Sequence, residues 1–495
     1  MNEEKVFFKN KIKFVFNKKI KNPVVFYNVK EKKFSQIFEK LPKEIQRKLE
    51  IIIKKEKISN FQIKIFHTFN DDLQNIILIG FENFNLRNFH YFSRIPIRVS
   101  IKERIERIDI FLPDLYAFSD VDFFDFVKYF VVNAVMSSYD FSQFYKNEDI
   151  PSLKEINIIT KENIEKPIKE GIVMGEIINT VRNLSNMPGG EMTPDFFVKV
   201  IKKIKIPKLK IKILDRKKLE KLKMNSILAV GKGSVYGAYL AILEYYGTNK
   251  KEKPYVLVGK GITFDTGGLH LKPAEGMKDM NLDMSGGAGV LGTLMVCAKL
   301  KIKKNVIGFI PIAENMPGND SYRPGDLIRS LSGKIIEVVS PDAEGRVILA
   351  DAIHYSKKYN PKVIITLATL TGASMIALGN KASALLSNLG EEKVDEIKKL
   401  SYLTGDFVWD LPLWEEYLND IKSQFGDLAN VGKSRYGGVM HGAIFLYEFA
   451  KPYDFIHIDM APKMVSNDED NLAPGSFGFG VKILTEIIKK DLLRI

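Results

Sequence analysis

Apolar residues recur along this chain in short runs and in helical spacing, and the two patterns alternate. From the N terminus to about Lys154, the runs KVFF, FVF, PVVFYNV, IILIG and RIDIFL have the length and aromatic or β-branched content of strands. FFDFVKYFVVNAVMSSYDF, in the same stretch, is long enough for a helix. This mixture predicts an α/β unit. Ile172, Val173, Ile177 and Val181 then recur at helical spacing before Pro188 and Gly189, and predict a helix connecting two units. In KLKIKIL, lysines alternate with Leu209, Ile211 and Ile213, the pattern of a strand with one wet face; DRKKLEKLKM reads as a helix capped by Asp215. From Ser226 onward, SILAVG, YVLVGKG, NVIGFIPIA, KVIITLATL and DFIHIDM read as strands. They alternate with helical runs after Gly286 and after Gly345, and with LWEEYLNDIKSQF and IFLYEFA. Such alternation predicts a mainly parallel sheet flanked by helices. The expected fold class is α/β in two domains: an N-terminal α/β domain over residues 1–160, a connecting helix region over 161–190, and a larger C-terminal domain over 191–495.

Composition changes this picture little. A chain of 495 residues exceeds one ordinary core, and 45% hydrophobic with 27% charged residues is ordinary for a soluble protein. No apolar stretch reaches the roughly 18 residues of a membrane span. The charged start MNEEKVFFKNKIKF lacks the apolar block of a secretory signal, so the expected location is cytoplasmic. A single cysteine, Cys297, rules out an internal disulfide, and no Cys/His cluster has zinc-finger spacing. The net charge of +14 raises the alternative of a DNA-binding or architectural role. Lysine, isoleucine, asparagine and phenylalanine are all abundant, however, and codon bias acting on solvated faces is the stronger account of the charge.

Candidate chemistry concentrates between Lys260 and Arg346. Asp265, Asp283, Asp342 and Glu344, with Lys260, Lys272 and Arg346, stand on glycine-rich segments at predicted strand ends, where open α/β sheets collect ligands. Any one of these acids alone would more often cap a helix or decorate a loop. As a set they suit hard divalent cations, which take oxygen ligands and, when paired, need bridging carboxylates. Asp342 and Glu344, two apart, would point the same way on an extended strand end. GKGSVYG lacks dinucleotide-loop spacing, and no phosphate-binding G-x-x-x-x-G-K-[ST] occurs. Cys297 reads as packing; His67, His90, His354, His441 and His457 have no partner at metal spacing; His270 is an outer-sphere candidate. Carboxylates around dications serve phosphoesterases as well as peptidases, so residue types alone leave both open.

Motif order narrows the choice. SPDAEGR, VGKGITFDTGG, ENMPGNDSYRPGD, LATLTGA and LPLWEEY resemble, in sequence order, segments of the leucyl aminopeptidase family of two-metal exopeptidases, the cytosol aminopeptidases. The resemblance runs from about Glu170 to near the C terminus. It implies one metal on Asp265, Asp342 and Glu344, and a second on Lys260, Asp265, Asp283 and Glu344. Manganese or zinc would be the expected ions. Lys272 would polarise the scissile carbonyl, and Arg346 would hold a bicarbonate acting as general base. Met280, Thr369 and Gly372, with Ala461 and Met464, would border the pocket for the first side chain. The implied substrates are small peptides with a free N terminus, and the implied assembly is a homohexamer. Two departures stand out: Ser340 and Pro341 replace the usual Asn-Thr before Asp342, and His270 replaces a small polar residue. Proline at 341 biases Ser340 toward extended geometry.

Overall fold

The structure is a computed structural model that describes residues 3–116, 121–144 and 153–492. The chain forms two compact units, and the division falls inside the helix Glu165–Asn186, at Ile177. The smaller unit also takes in Asn467–Ala473, and the larger takes in the first residues through Phe8. No helix among the described residues is long and apolar enough to cross a membrane.

In the smaller unit, Val24–Asn28, Asn75–Phe81 and Ile63–His67, with the short strand Lys33–Phe34, make a four-stranded sheet. Lys13–Phe16, Glu155–Ile159 and Arg107–Phe111 make a parallel three-stranded one. The expected helix is present as Phe123–Ser137, capped by the Asp122 side chain.

KVFF is not a strand. Glu3–Val6 is a short 3-10 helix of the larger unit. Asn183 Nδ2 donates to the Val6 carbonyl, and the Phe8 N–H donates to Thr180 Oγ1. Side chains of the long helix thus satisfy backbone groups that a neighbouring strand would otherwise take.

The larger unit is built on a nine-stranded sheet. Its four central strands, Phe455–Asp459, Val363–Ala368, Tyr255–Gly259 and Asn305–Asn315, run parallel, as the alternation of strands and helices predicts. The flanks are antiparallel: Tyr239–Tyr246 pairs with Asn305–Asn315 and with Leu209–Leu214, and Ser383–Ser387 pairs with Phe455–Asp459. Both faces are covered. Ile307 and Phe309 join a core cluster with Val347, Ile348 and Ile353 of the helix Glu344–Ser356. Gly308, between them on the other face, abuts Val290 and Leu294 of the helix Ser285–Lys299.

Leu209–Leu214 exposes its lysines as the alternation predicts, and Asp215 caps the next helix by accepting from the Lys218 N–H. Two expectations change. SILAVG is helical, Asn225–Gly231, because the buried Asp351 carboxylate accepts from the Ser226 and Ile227 N–H groups and holds the helix start. A short apolar run is ambiguous by periodicity, and this cap decides it. LWEEYLNDIKSQF contains only the 3-10 helix Glu415–Ile421.

Candidate metal centre

Parallel strands end at a common edge, so the C-terminal ends of the central strands present their next residues side by side. Lys260 follows Tyr255–Gly259, Thr369 follows Val363–Ala368, and Asn315 and Asp459 are the last residues of their strands. At Lys260 the chain jogs and continues along the same neighbour as Gly261–Asp265, delivering Asp265. Asp283 lies in the 3-10 helix Met280–Met284, immediately before Ser285–Lys299. Asp342 and Glu344 are not on an extended strand end. Pro341–Ala343 is a 3-10 turn, entered from an extended Ser340 (φ −137°, ψ 122°), and Glu344 opens the helix Glu344–Ser356. The tight turn still brings the acids together: one oxygen each from Asp265, Asp342 and Glu344 lie within 4.8 Å of one another.

Lys260 joins this group to Asp283. Its Nζ is 2.7 Å from Asp283 Oδ1, 2.7 Å from Glu344 Oε1 and 2.9 Å from the Thr369 carbonyl oxygen. Burial alone would lower the Lys260 pKa, but Asp283, Glu344 and Asp265 outweigh it and raise it. Lys272 follows the same logic: its Nζ is 2.8 Å from Asp265 Oδ2 and donates to Asp342 Oδ1, and despite burial the neighbouring carboxylates raise its pKa. Burial pushes Glu344 and Asp283 upward; Asp265 adds to both and Glu344 adds to Asp283, while Lys260 opposes both and Lys272 opposes the rise at Glu344. Asp283 Oδ2 is buried with no hydrogen-bond partner among the described residues. Buried polar atoms seldom go unpaired, and a cation is a fitting partner for an orphaned carboxylate oxygen.

Supporting groups lie far away in sequence and were not singled out by their local context. Asn315 Nδ2 donates to Asp265 Oδ1 at 2.8 Å and to the Pro341 carbonyl at 3.1 Å; the Tyr322 hydroxyl donates to the same carbonyl at 2.7 Å. Asn430 accepts from the Val339 and Ser340 N–H groups and donates to the Ser340 carbonyl, shaping the turn that carries Asp342. Ser340 Oγ in turn lies 3.0 Å from His270 Nδ1, so the two positions that depart from the family pattern touch each other. Gly267, at φ +85°, leaves no room for a side chain: a Cβ there would meet the His270 carbonyl oxygen at 2.3 Å.

Gly345 is equally constrained. A Cβ would stand 2.7 Å from Lys260 Cε and 2.8 Å from Nζ. The clash is with the end of a flexible side chain, so Gly345→Ala is expected to fold, displacing Lys260 from Asp283 and Glu344. Metal-dependent turnover should fall by about 10–100-fold, the range for disturbing a metal site's supporting contacts. Kinetics alongside a thermal melt would separate this from unfolding; unchanged turnover would count against the role of Lys260.

Arg346 is buried in the first turn of Glu344–Ser356, and burial lowers its pKa to about 10 against the opposing pull of Glu344 and Asp459. His457 is fully buried, with Thr366 Oγ1 2.8 Å from Nδ1; burial first, then Arg346, lowers its pKa to about 3 from the ordinary 6.5. An imidazole held neutral in the fold adds stability that is complete above pH 6.5 and is lost as pH falls toward 3. Melting temperature measured from pH 7 to pH 4 should therefore fall less steeply for His457→Asn than for the parent chain.

The five residues expected to border a side-chain pocket divide between neighbouring segments. Thr369 Oγ1 donates to Asp283 Oδ1 at 2.7 Å, which ties it to the turn containing Met280. Gly372 begins the helix Gly372–Leu378, which packs against the 3-10 turn Ala461–Lys463 ahead of Met464. Cys297 is buried within Ser285–Lys299, away from any such role.

Known proteins are similar to this chain in sequence and fold. Residues 179–485 match the model of the cytosol aminopeptidase family, catalytic domain. A "Probable cytosol aminopeptidase" of Azoarcus sp. (strain BH72) is 42% identical over 329 residues, 66% of this chain and 65% of that protein. One of Nitrosomonas europaea is 39% identical over 366 residues, covering 72% of this chain and 73% of the relative. The alignment thus spans about two thirds of the relatives' length. Among solved structures, "Bottromycin maturation enzyme BotP in complex with Mn" superposes with a TM-score of 0.81 at 25% identity, over 96% of this chain and 99% of that one. With the family's catalytic domain matched across most of the larger unit, the chain belongs to the cytosol aminopeptidase family.

Proposed function

We propose that this protein is a two-metal aminopeptidase that removes N-terminal residues, leucine and other apolar ones foremost, from small peptides. The observation that carries the reading is the convergence of four carboxylates and Lys260 at one strand edge, with a buried Asp283 oxygen left unpaired among the described residues. Asp265, Asp342 and Glu344 would hold one ion; Lys260, Asp265, Asp283 and Glu344 would hold the other, Lys260 as a neutral amine, since adjacent dications would reverse the upward pull of the carboxylates on its pKa. The carboxylate-rich donor set suits manganese or zinc, and the manganese complex of the bottromycin enzyme supports manganese as one such ion. When bound, two such dications lower the pKa of water and polarise the scissile carbonyl.

The chain's own groups then account for orientation and specificity. Asp283, anchored by Lys260 and Thr369, would also pair with a substrate's free α-amine, which an internal peptide bond lacks. Lys272, a cation at the mouth beside Asp265 and Asp342, is the group to stabilise developing oxyanion charge. Arg346, a buried guanidinium whose Nε lacks a partner among the described residues, is the group to hold bicarbonate as the general base. Met280, Thr369, Gly372, Ala461 and Met464 would line the pocket for the first side chain. Separating single methylenes by only ~1–3 kcal/mol, an apolar pocket gives broad selectivity. A cytoplasmic homohexamer completes the reading, on the family's account.

The test is hydrolysis of leucine p-nitroanilide by chelator-treated protein re-supplied with manganese or zinc, beside the N-acetylated substrate and Asp342→Ala. Metal-dependent cleavage of the free-amine substrate alone is the expected result. Equal turnover of the acetylated substrate, or of phosphate esters, would overturn it.

A further inference from the structure

One buried carboxylate at the strand edge, Asp459, enters the site above only through its pull on Arg346. Asp459, the last residue of Phe455–Asp459, is fully buried and faces donors from two separate segments, with the Ser374 hydroxyl also close enough to hold its charge. Its Oδ1 accepts from the Leu370 N–H at 3.1 Å and the Ala461 N–H at 3.2 Å; its Oδ2 accepts from the Thr371 hydroxyl at 2.6 Å. The Thr371 hydroxyl itself accepts from the Ser374 N–H, capping the helix Gly372–Leu378. The Thr369–Gly372 stretch is thus held at both ends, by Asp283 through Thr369 and by Asp459 through Leu370 and Thr371. Only an acceptor with several lone pairs can serve three donors at once, and an amide at 459 would turn its NH₂ toward one of them.

We propose that Asp459, acting through Thr371, is a specificity-determining positioning residue that sets the distance between the 369–372 and 461–464 walls of the first-side-chain pocket. The inference rests on the aminopeptidase reading and extends it. Asp459 acts through Leu370, Thr371 and Ala461, and so fixes how wide the pocket stands. A purely structural anchor would change stability or overall rate, whereas a spacing device changes discrimination between large and small side chains.

The experiment compares kcat and KM for leucine and alanine p-nitroanilides in the manganese-loaded parent, Thr371→Val, Thr371→Ser and Asp459→Asn. Thr371 is only half-buried, so the isosteric valine is tolerated. In Thr371→Val the leucine KM should rise and the leucine-to-alanine ratio of kcat/KM should fall about tenfold, the size expected for losing one hydrogen bond to a charged group. Asp459→Asn should move the ratio in the same direction, and Thr371→Ser, which keeps the hydroxyl, should restore it. An unchanged ratio in Thr371→Val, whatever its overall rate, overturns the proposal. So does a serine variant that behaves like the valine one. A parent chain that cleaves neither substrate with manganese or zinc instead overturns the aminopeptidase reading, and the inference with it.

Discussion

Glu344→Ala is expected to lower kcat/KM for leucine p-nitroanilide by more than about 100-fold and to leave the protein with fewer than two bound ions per chain. Weakening a partner that merely orients a metal ligand already costs about 10–100-fold in affinity or activity, and Glu344 would be a ligand common to both ions. Its carboxylate is almost completely buried, at 2% exposure, so water cannot replace it without reorganising the turn. The same substitution also removes one of the two carboxylates within 2.7 Å of Lys260 Nζ. Metal content by elemental analysis, measured with the kinetics, distinguishes a lost site from a misfolded chain. Parent-like turnover with two ions retained would remove Glu344 from the metal site and with it the two-ion assignment.

Lys260→Met should show the second large effect, and on stability as well as activity. Methionine matches the length of the lysine stem but leaves Asp283 and Glu344, both buried, without their cation. Removing one partner of a buried ion pair costs about 3–5 kcal/mol, because the remaining charge stays desolvated. Urea unfolding in the presence of a chelator should register that loss in the larger unit. Excess manganese should recover part of it, since an ion that binds only the folded state stabilises by mass action. If manganese leaves the variant's unfolding unchanged while stabilising the parent, the carboxylates around Lys260 are not a cation site independent of its amine. If the variant unfolds like the parent in chelator, the buried ion pairs carry no net stability.

These expectations draw on different depths of information. Asp265, Asp283, Asp342 and Glu344 could be singled out in the linear chain because acids on glycine-rich segments are poor core material and their order matches a family pattern, although only Asp265 stands on a strand end. The strands Val24–Asn28, Asn75–Phe81 and Val363–Ala368 were legible from apolar runs of the right length. Asn430, by contrast, shapes the Asp342 turn from 90 residues away in sequence, and Asp351 caps a helix from 125 away. Neither asparagine nor aspartate at those positions carries a local signal of its role. SILAVG shows the same limit from the other side. Its composition suits a strand, and only the distant Asp351 carboxylate, meeting its first N–H groups, makes it a helix.

The sequence by itself determined the residue types available for chemistry, the alternation of strand and helix in the larger unit, and the family to which the chain belongs. Those features depend on periodicity and composition over a few residues, where side-chain preference and local backbone sterics dominate. Only the tertiary structure decided that Lys260 pairs with Asp283 and Glu344, that Asp342 arrives on a 3-10 turn, that the sheet's flanks run antiparallel, and that Asp459 binds two loop segments together. Each of these brings together polar groups distant in the chain. Burial leaves them no water to satisfy their charges and hydrogen bonds, so the partner is whichever group the packed fold delivers.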